Sequence, residues 1–214
     1  MAEIAPAILC EDLDGYKERI DQISPFAHRV HIDITDGEFA PNVTVNANDV
    51  YWPAGWKVDI HAMMTRPSEH VRSIVAKKPH LIVFHAEAQE DLSDIIKYVR
   101  NQGIRAGIAL LKPTVPEVVR SYIEIVDHVM IFSGTLGQHG GEASMMQLEK
   151  IRLVKRIRTN VEIGWDGGVS VENAFTLVHS GVDVLNVGGA IAKSANAEGV
   201  YGKLVKEINK KGVI

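Results

Sequence analysis

The sequence holds a single cysteine, Cys10, in 214 residues. One thiol cannot build an internal disulfide framework, which points to a reducing compartment and leaves the fold to its apolar core. Long hydrophobic runs are missing too: no stretch approaches the roughly 20 apolar residues of a membrane span. Positive charge is not in excess, with 23 Lys+Arg against 27 Asp+Glu and a net charge of -4. That balance gives no global basic footprint for nucleic acid, although it leaves room for a small cationic or amide-lined phosphate site. The opening Met-Ala-Glu-Ile-Ala-Pro has no basic segment, so no secretory signal is expected, and the expected location is cytoplasmic. What is present is ordinary for a folded chain: 46% hydrophobic and 23% charged residues, which excludes disorder as the dominant state. The length fits one domain over 1–214, since barrels of roughly 200–250 residues fold as one unit.

Short apolar, β-branched runs recur at Ile4–Leu9, Val30–Thr35, Val58–Met63, Leu81–His85, Ala106–Leu111, His128–Ser133, Val161–Asp166 and Val182–Val187. Between them lie segments with helical spacing: Leu13-Tyr16-Ile20-Ile23, Val71-Ile74-Val75, Leu92-Ile95-Ile96-Val99, Val115-Val118-Val119-Tyr122 and Leu148-Ile151-Val154. Strand-sized runs alternating with amphipathic helices predict βαβ units, a parallel sheet and an α/β fold of the (β/α)8 TIM-barrel type. Ser68 and Ser170 stand where helix N-caps are wanted, and Pro116 where a first helical turn is wanted. In such barrels the chemistry sits at the carboxyl ends of the strands.

The second run reads His31-Ile32-Asp33-Ile34-Thr35. With period two, His31, Asp33 and Thr35 share one side, and the apolar side should face the helices. The polar side then points into the barrel mouth, where an imidazole and a carboxylate are costly without partners or a metal. The third run repeats the pattern with Asp59, His61 and Met63, the seventh ends at Asp166-Gly167-Gly168, and the fourth at His85-Ala86-Glu87. Read singly, a strand histidine is a hydrogen-bonded core residue and a strand-end aspartate is a turn acid. Read together, two His and two Asp late in strands of one barrel form the N/O ligand set of a divalent metal such as zinc, iron or manganese.

Ile4-Ala5-Pro6-x-Ile8-Leu9, His31-Ile32-Asp33-Ile34-x-Asp36-Gly37-x-Phe39-x-Pro41-Asn42, Asp59-Ile60-His61-x-Met63, His85-Ala86-Glu87-Ala88, Ala106-Gly107 and Asp166-Gly167-Gly168 together resemble the ribulose-phosphate 3-epimerase family, from the first strand to the last. The resemblance implies a barrel of the ribulose-phosphate-binding type. It implies that His31, Asp33, His61 and Asp166 bind one divalent ion (zinc, iron, manganese or cobalt), with Asp33 and Asp166 as the catalytic acid/base pair. Epimerising a carbon beside a ketone means taking a proton from one face and returning one to the other, which two carboxylates flanking the substrate can do through a metal-stabilised enediolate. The resemblance further implies a sugar phosphate as the partner, held at its phosphate by backbone N–H groups. Gly140, Gly141, Gly167, Gly168, Gly188 and Gly189 are the candidates, though tight turns alone would also explain them. Met63 is a candidate for the apolar lid, Met64 for the core, and Asp36 and His85 for orienting metal ligands or for plain structural bonding. A homo-oligomer is expected. The aromatic cluster Tyr51-Trp52-Pro53 with Trp56 reads as a satellite core or a contact patch.

Departures from the family pattern touch substrate contacts and spare the four ligands. Ala7 replaces a Ser, Thr35 a Met, Glu38 a His, Leu111 an Asn and Gly189 a Ser. The loop after the sixth strand reads Ser133-Gly134-Thr135-Leu136-Gly137-Gln138-His139-Gly140-Gly141-Glu142, with its aromatic gone, His139 a new surface or substrate-facing group, and Glu142 an acid beside the phosphate candidates. Trp165 and Asn186 are also unusual. The expected function is therefore C3 epimerisation of a ketose phosphate, D-ribulose 5-phosphate to D-xylulose 5-phosphate. The alternatives are another sugar phosphate such as allulose 6-phosphate, or a non-catalytic phosphosugar-binding homologue. The metal-free decarboxylases on related barrels need a Lys in an Asp-x-Lys-x-x-Asp motif, and Asp33-Ile34-Thr35-Asp36 has none.

Overall fold

A computed structural model describes residues 2–138 and 140–211. Eight parallel strands close into a barrel in chain order, each paired with its sequence neighbours and β8 returning to β1. They are β1 (Glu3–Ile8), β2 (Arg29–Thr35), β3 (Lys57–Met63), β4 (Leu81–His85), β5 (Arg105–Leu110), β6 (His128–Phe132), β7 (Glu162–Asp166) and β8 (Val184–Val187). The helices are α1 (Leu13–Ile23), α2 (Val71–Ala76), α3 (Ser93–Asn101), α4 (Arg120–Ile123), α5 (Glu149–Ile157), α6 (Val171–His179), α7 (Gly189–Ala192) and α8 (Ala197–Ile208). None of them is long and apolar enough to cross a membrane.

The distribution of helices is uneven. Two follow β8, and none stands between β2 and β3 among the described residues. The 36–56 connection is rich in turn formers, and its bends are held locally, as where Asp49 N–H donates to Asn46 O at 2.9 Å. Buried Val45, Ala47 and Val50 join the large core in a helix's place, and half-buried Trp52 and Trp56 pack against the same core. The Val115–Tyr122 segment, read as one helix, divides into a 3-10 turn at Pro116–Val119 and the single turn of α4. Three β-branched valines and a proline weaken an α-helix there. Ser170 does cap α6, and Asn173 Oδ1 returns a bond to its N–H at 2.9 Å. Ser68 does not cap: it lies inside the 3-10 turn Pro67–Glu69, and its N–H donates to Glu90 at 2.6 Å.

Alternation sorts the barrel into two apolar regions. Val30, Ile32, Ile34, Val58, Ile60 and Ala62 join the large core between sheet and helices. Leu81, Val83, Ala109, Met130 and Phe132 form a second cluster inside the barrel, filling it from the β4–β6 side. Polar side chains occupy the rest of the interior. At the amino-terminal end of the strands, Arg29 (2% exposed) binds Asp59 at 2.6 Å, Glu3 at 2.7 Å and Glu162 at 2.9 Å, and His128 Nδ1 meets Glu162 at 2.8 Å. This network lies opposite the mouth and ties β1, β2, β3, β6 and β7 together.

Candidate active site

Strand register gathers the four predicted ligands at the mouth. Asp33 pairs across β2–β3 with His61, and His31 lies one interior step below Asp33. Asp166 ends β7, opposite Phe132 on one side and Asn186 on the other. One ligand atom from each of His31, Asp33, His61 and Asp166 falls within 4.8 Å of the others. Asp33 Oδ1 is 2.8 Å from His61 Nδ1 and 3.2 Å from His31 Nε2, while Asp166 Oδ2 is 3.7 Å from each imidazole.

The two carboxyls are pushed in opposite directions. Burial raises Asp33, but the His31 charge and the His61 hydrogen bond outweigh it and hold that carboxyl well below its ordinary value. Burial raises Asp166, the His31 charge opposes it, the Asp33 charge adds to it, and the net direction is up. His61 and His85 are pushed down chiefly by burial, which favours neutral rings.

A line of contacts leads away from the cluster. His61 Nε2 is 2.9 Å from His85 Nε2, and His85 Nδ1 is 3.3 Å from Glu87 Oε2. Glu87 Oε1 accepts from Leu111 N–H at 2.9 Å and from the Thr114 hydroxyl. Proton counting along this line tests the fit of a metal. Asp33–His61, His61–His85 and His85–Glu87 are three contacts between groups that each need one proton in between, and two neutral imidazoles supply only two. A cation at His61 Nδ1 and Asp33 removes the shortfall: His61 Nε2–H then donates to His85, and His85 Nδ1–H to Glu87. His31 Nε2, buried without a hydrogen-bond partner, points to the same conclusion. The N₂O₂ donor set fits a divalent transition ion.

Above the cluster opens a cavity of ≈ 260 Å³. Asp33, Asp166 and Met63 line it, together with Gly140, Gly141, Gly167, Gly168, Gly188 and Gly189 from the loops after β6, β7 and β8. Gly167 and Gly168 have φ of +102° and +70°, and a Cβ would overlap backbone atoms of Gly134 and Ala143 respectively, so only glycine fits where these loops meet. Glu142 is exposed and is not among the residues lining the cavity, so no carboxylate from that loop faces the glycine amides. Met64 belongs to the outer core. Asp36 holds the loop instead of a ligand, accepting from the N–H groups of Glu38, Phe39 and Thr65 at 2.8, 2.8 and 2.7 Å. His139 lies outside the described residues. Sequence reading missed Lys193, which lines the cavity from the end of α7, four residues after Gly189 and thus one helical turn away. It also missed Thr114 and the Leu111 N–H as anchors of Glu87; only the β4–β5 register brings them together, and no local spacing signals it.

Several known proteins are similar to this chain in fold or in sequence. The 3-hexulose-6-phosphate synthase of Salmonella typhimurium superposes with a TM-score of 0.69 at 14% identity, over 96% of this chain and 98% of that one. The 3-keto-L-gulonate-6-phosphate decarboxylase of Vibrio cholerae gives 0.70 at 11%, over 97% of each chain. At such identities these structures establish the fold alone. Sequence similarity runs elsewhere. A ribulose-phosphate 3-epimerase of Helicobacter pylori is 30% identical over 90% of this chain and 91% of its own length. That of Chlamydia muridarum is 31% identical over 85% and 84%, and that of Bacillus subtilis 28% over 89% and 92%. The description of the Ribulose-phosphate 3 epimerase family matches residues 3–192, and the chain belongs to that family of isomerases.

Proposed function

We propose that this protein interconverts D-ribulose 5-phosphate and D-xylulose 5-phosphate by epimerisation at C3. The observation that carries the reading is the convergence of two imidazoles and two oppositely perturbed carboxyls beneath a cavity rimmed by three pairs of glycines. His31, Asp33, His61 and Asp166 are the residues to hold one divalent ion. When bound, that ion supplies Lewis-acid stabilisation of the charge that builds on the substrate oxygens.

Asp33, held ionised, takes the proton from C3, and the electron pair of the broken C–H bond passes onto the ketone oxygen. Asp166, whose carboxyl burial and the Asp33 charge push up, returns a proton to the opposite face, and the two exchange roles in reverse. The pair titrates as a unit, so the assignment describes the direction of reaction and not two isolated groups. The N–H groups of Gly140–Gly141, Gly167–Gly168 and Gly188–Gly189 receive the phosphate, and Met63 contributes an apolar wall.

The test is turnover of a panel of pentulose and hexulose phosphates by dialysed protein before and after zinc, iron, manganese or cobalt is restored. Metal-dependent conversion with ribulose 5-phosphate preferred supports the reading. Preference for allulose 6-phosphate transfers the chemistry to another substrate, and failure with every sugar and metal favours a binding role. A cytoplasmic location and a homo-oligomeric state belong to the same proposal, and light scattering at micromolar concentration tests the second.

A further inference from the structure

Asn186 of β8 is a buried polar group that neither the His/Asp cluster nor the glycine loops employ. Its side chain is 3% exposed and lines the cavity. Its amide donates to Met130 Sδ at 3.1 Å, a weak acceptor, and its Oδ1 has no partner. Turning the amide over only exchanges the two ends, leaving one on a thioether and the other on nothing. A buried amide so poorly paired by the protein's own groups calls for an explanation.

Its position supplies one. In register Asn186 lies between Ala5 on β1 and Asp166 on β7. Ala5 and Ala7 reach no further than Cβ, so the β1 side of the amide is not filled by a longer chain. Two residues on, Gly188 begins the β8 loop at the cavity rim. Asn186 thus sits between the phosphate end and the reacting end of a molecule spanning the cavity. We propose that the Asn186 amide binds a hydroxyl of the sugar chain and so helps select which ketose phosphate the site accepts. A hydroxyl both donates and accepts, which suits an amide whichever way it faces. The proposal rests on the cavity being a sugar-phosphate site.

The experiment compares kcat/KM for D-ribulose 5-phosphate with its 1-deoxy and 4-deoxy analogues, using metal-loaded full-length protein in wild-type, Asn186→Val and Asn186→Ser forms. The wild type should prefer the parent over one analogue by about 10- to 100-fold, the worth of one buried hydrogen bond left unpaired. Asn186→Val should cut that preference to about threefold or less, and Asn186→Ser should leave it intermediate. Metal affinity should match the wild type in both. Unchanged preference in either folded variant overturns the proposal. A wild type indifferent to both missing hydroxyls overturns it without any variant. Absence of turnover by the wild type on every ketose phosphate sinks the functional reading and this proposal with it, whereas retained turnover with unchanged preference sinks this proposal alone.

Discussion

Replacing Glu87 by Gln inverts a chain of protons that ends at the candidate metal site, His61 and Asp33. Glu87 is held below its ordinary carboxylate value: burial raises it, but hydrogen bonds from His85, Thr114 and Leu111 outweigh that. As a carboxylate it accepts from His85 Nδ1–H, which leaves His85 Nε2 to accept from His61 Nε2–H and frees His61 Nδ1 to bind a cation. A glutamine can keep its carbonyl on Leu111 N–H and Thr114, and it then turns an NH₂ toward His85. His85 must present a lone pair at Nδ1 and a proton at Nε2, His61 must accept at Nε2, and its remaining proton falls on Nδ1, where the cation belongs. Loss of such an outer partner costs about 10- to 100-fold in metal affinity, or about 1.4–2.8 kcal/mol. Competition against a chromophoric chelator at neutral pH measures it, and the thermal midpoint checks that the variant is folded. A folded Glu87→Gln protein binding zinc within about twofold of the wild type would refute the relay.

Further outcomes follow from the same geometry. Asp33→Asn and Asp166→Asn should each lower kcat for xylulose 5-phosphate formation by at least about 10²–10⁴ in a coupled assay, the usual worth of a positioned acid or base. Gly168→Ala places a Cβ on a left-handed residue against the Ala143 backbone, at a cost of about 1–2 kcal/mol from conformation alone. It should lower the thermal midpoint and raise KM while leaving zinc affinity unchanged. Glu162 is raised by burial and lowered more by hydrogen bonds from His128 and Arg29, so its folded-state value is depressed. Its stabilisation is full above the unfolded carboxylate value of about 4.3 and is lost as pH falls through the folded value. The urea midpoint should therefore drop on acidifying from about pH 5 to about pH 3, and Glu162→Gln should flatten that slope.

The strands were legible because their signal is local. In β2 and β3 alternation alone separates His31, Asp33 and His61 from Val30, Ile32 and Ile60, and the structure buries the apolar set under the helices. Asp166 was legible as a strand-end acid before two glycines. The 36–56 connection was not, because burial of Val45 and Val50 without a helix depends on tertiary packing and not on period. The same holds for Pro116–Ile123, where apolar spacing suits a helix and β-branching resists one. The relay from His61 to Glu87 needs the register of β3, β4 and β5 together, and no spacing in one segment encodes it. Asn186 was visible as an unusual residue, but its unpaired oxygen becomes apparent only once Met130 stands opposite it.

The most direct measurement is NMR of D-ribulose 5-phosphate incubated in D₂O with the dialysed protein, with and without one equivalent of added zinc, manganese, iron or cobalt. The account predicts D-xylulose 5-phosphate carrying one solvent deuterium at C3, formed only with the metal restored. Product lacking deuterium at C3, or no product with any of the four ions, would contradict it.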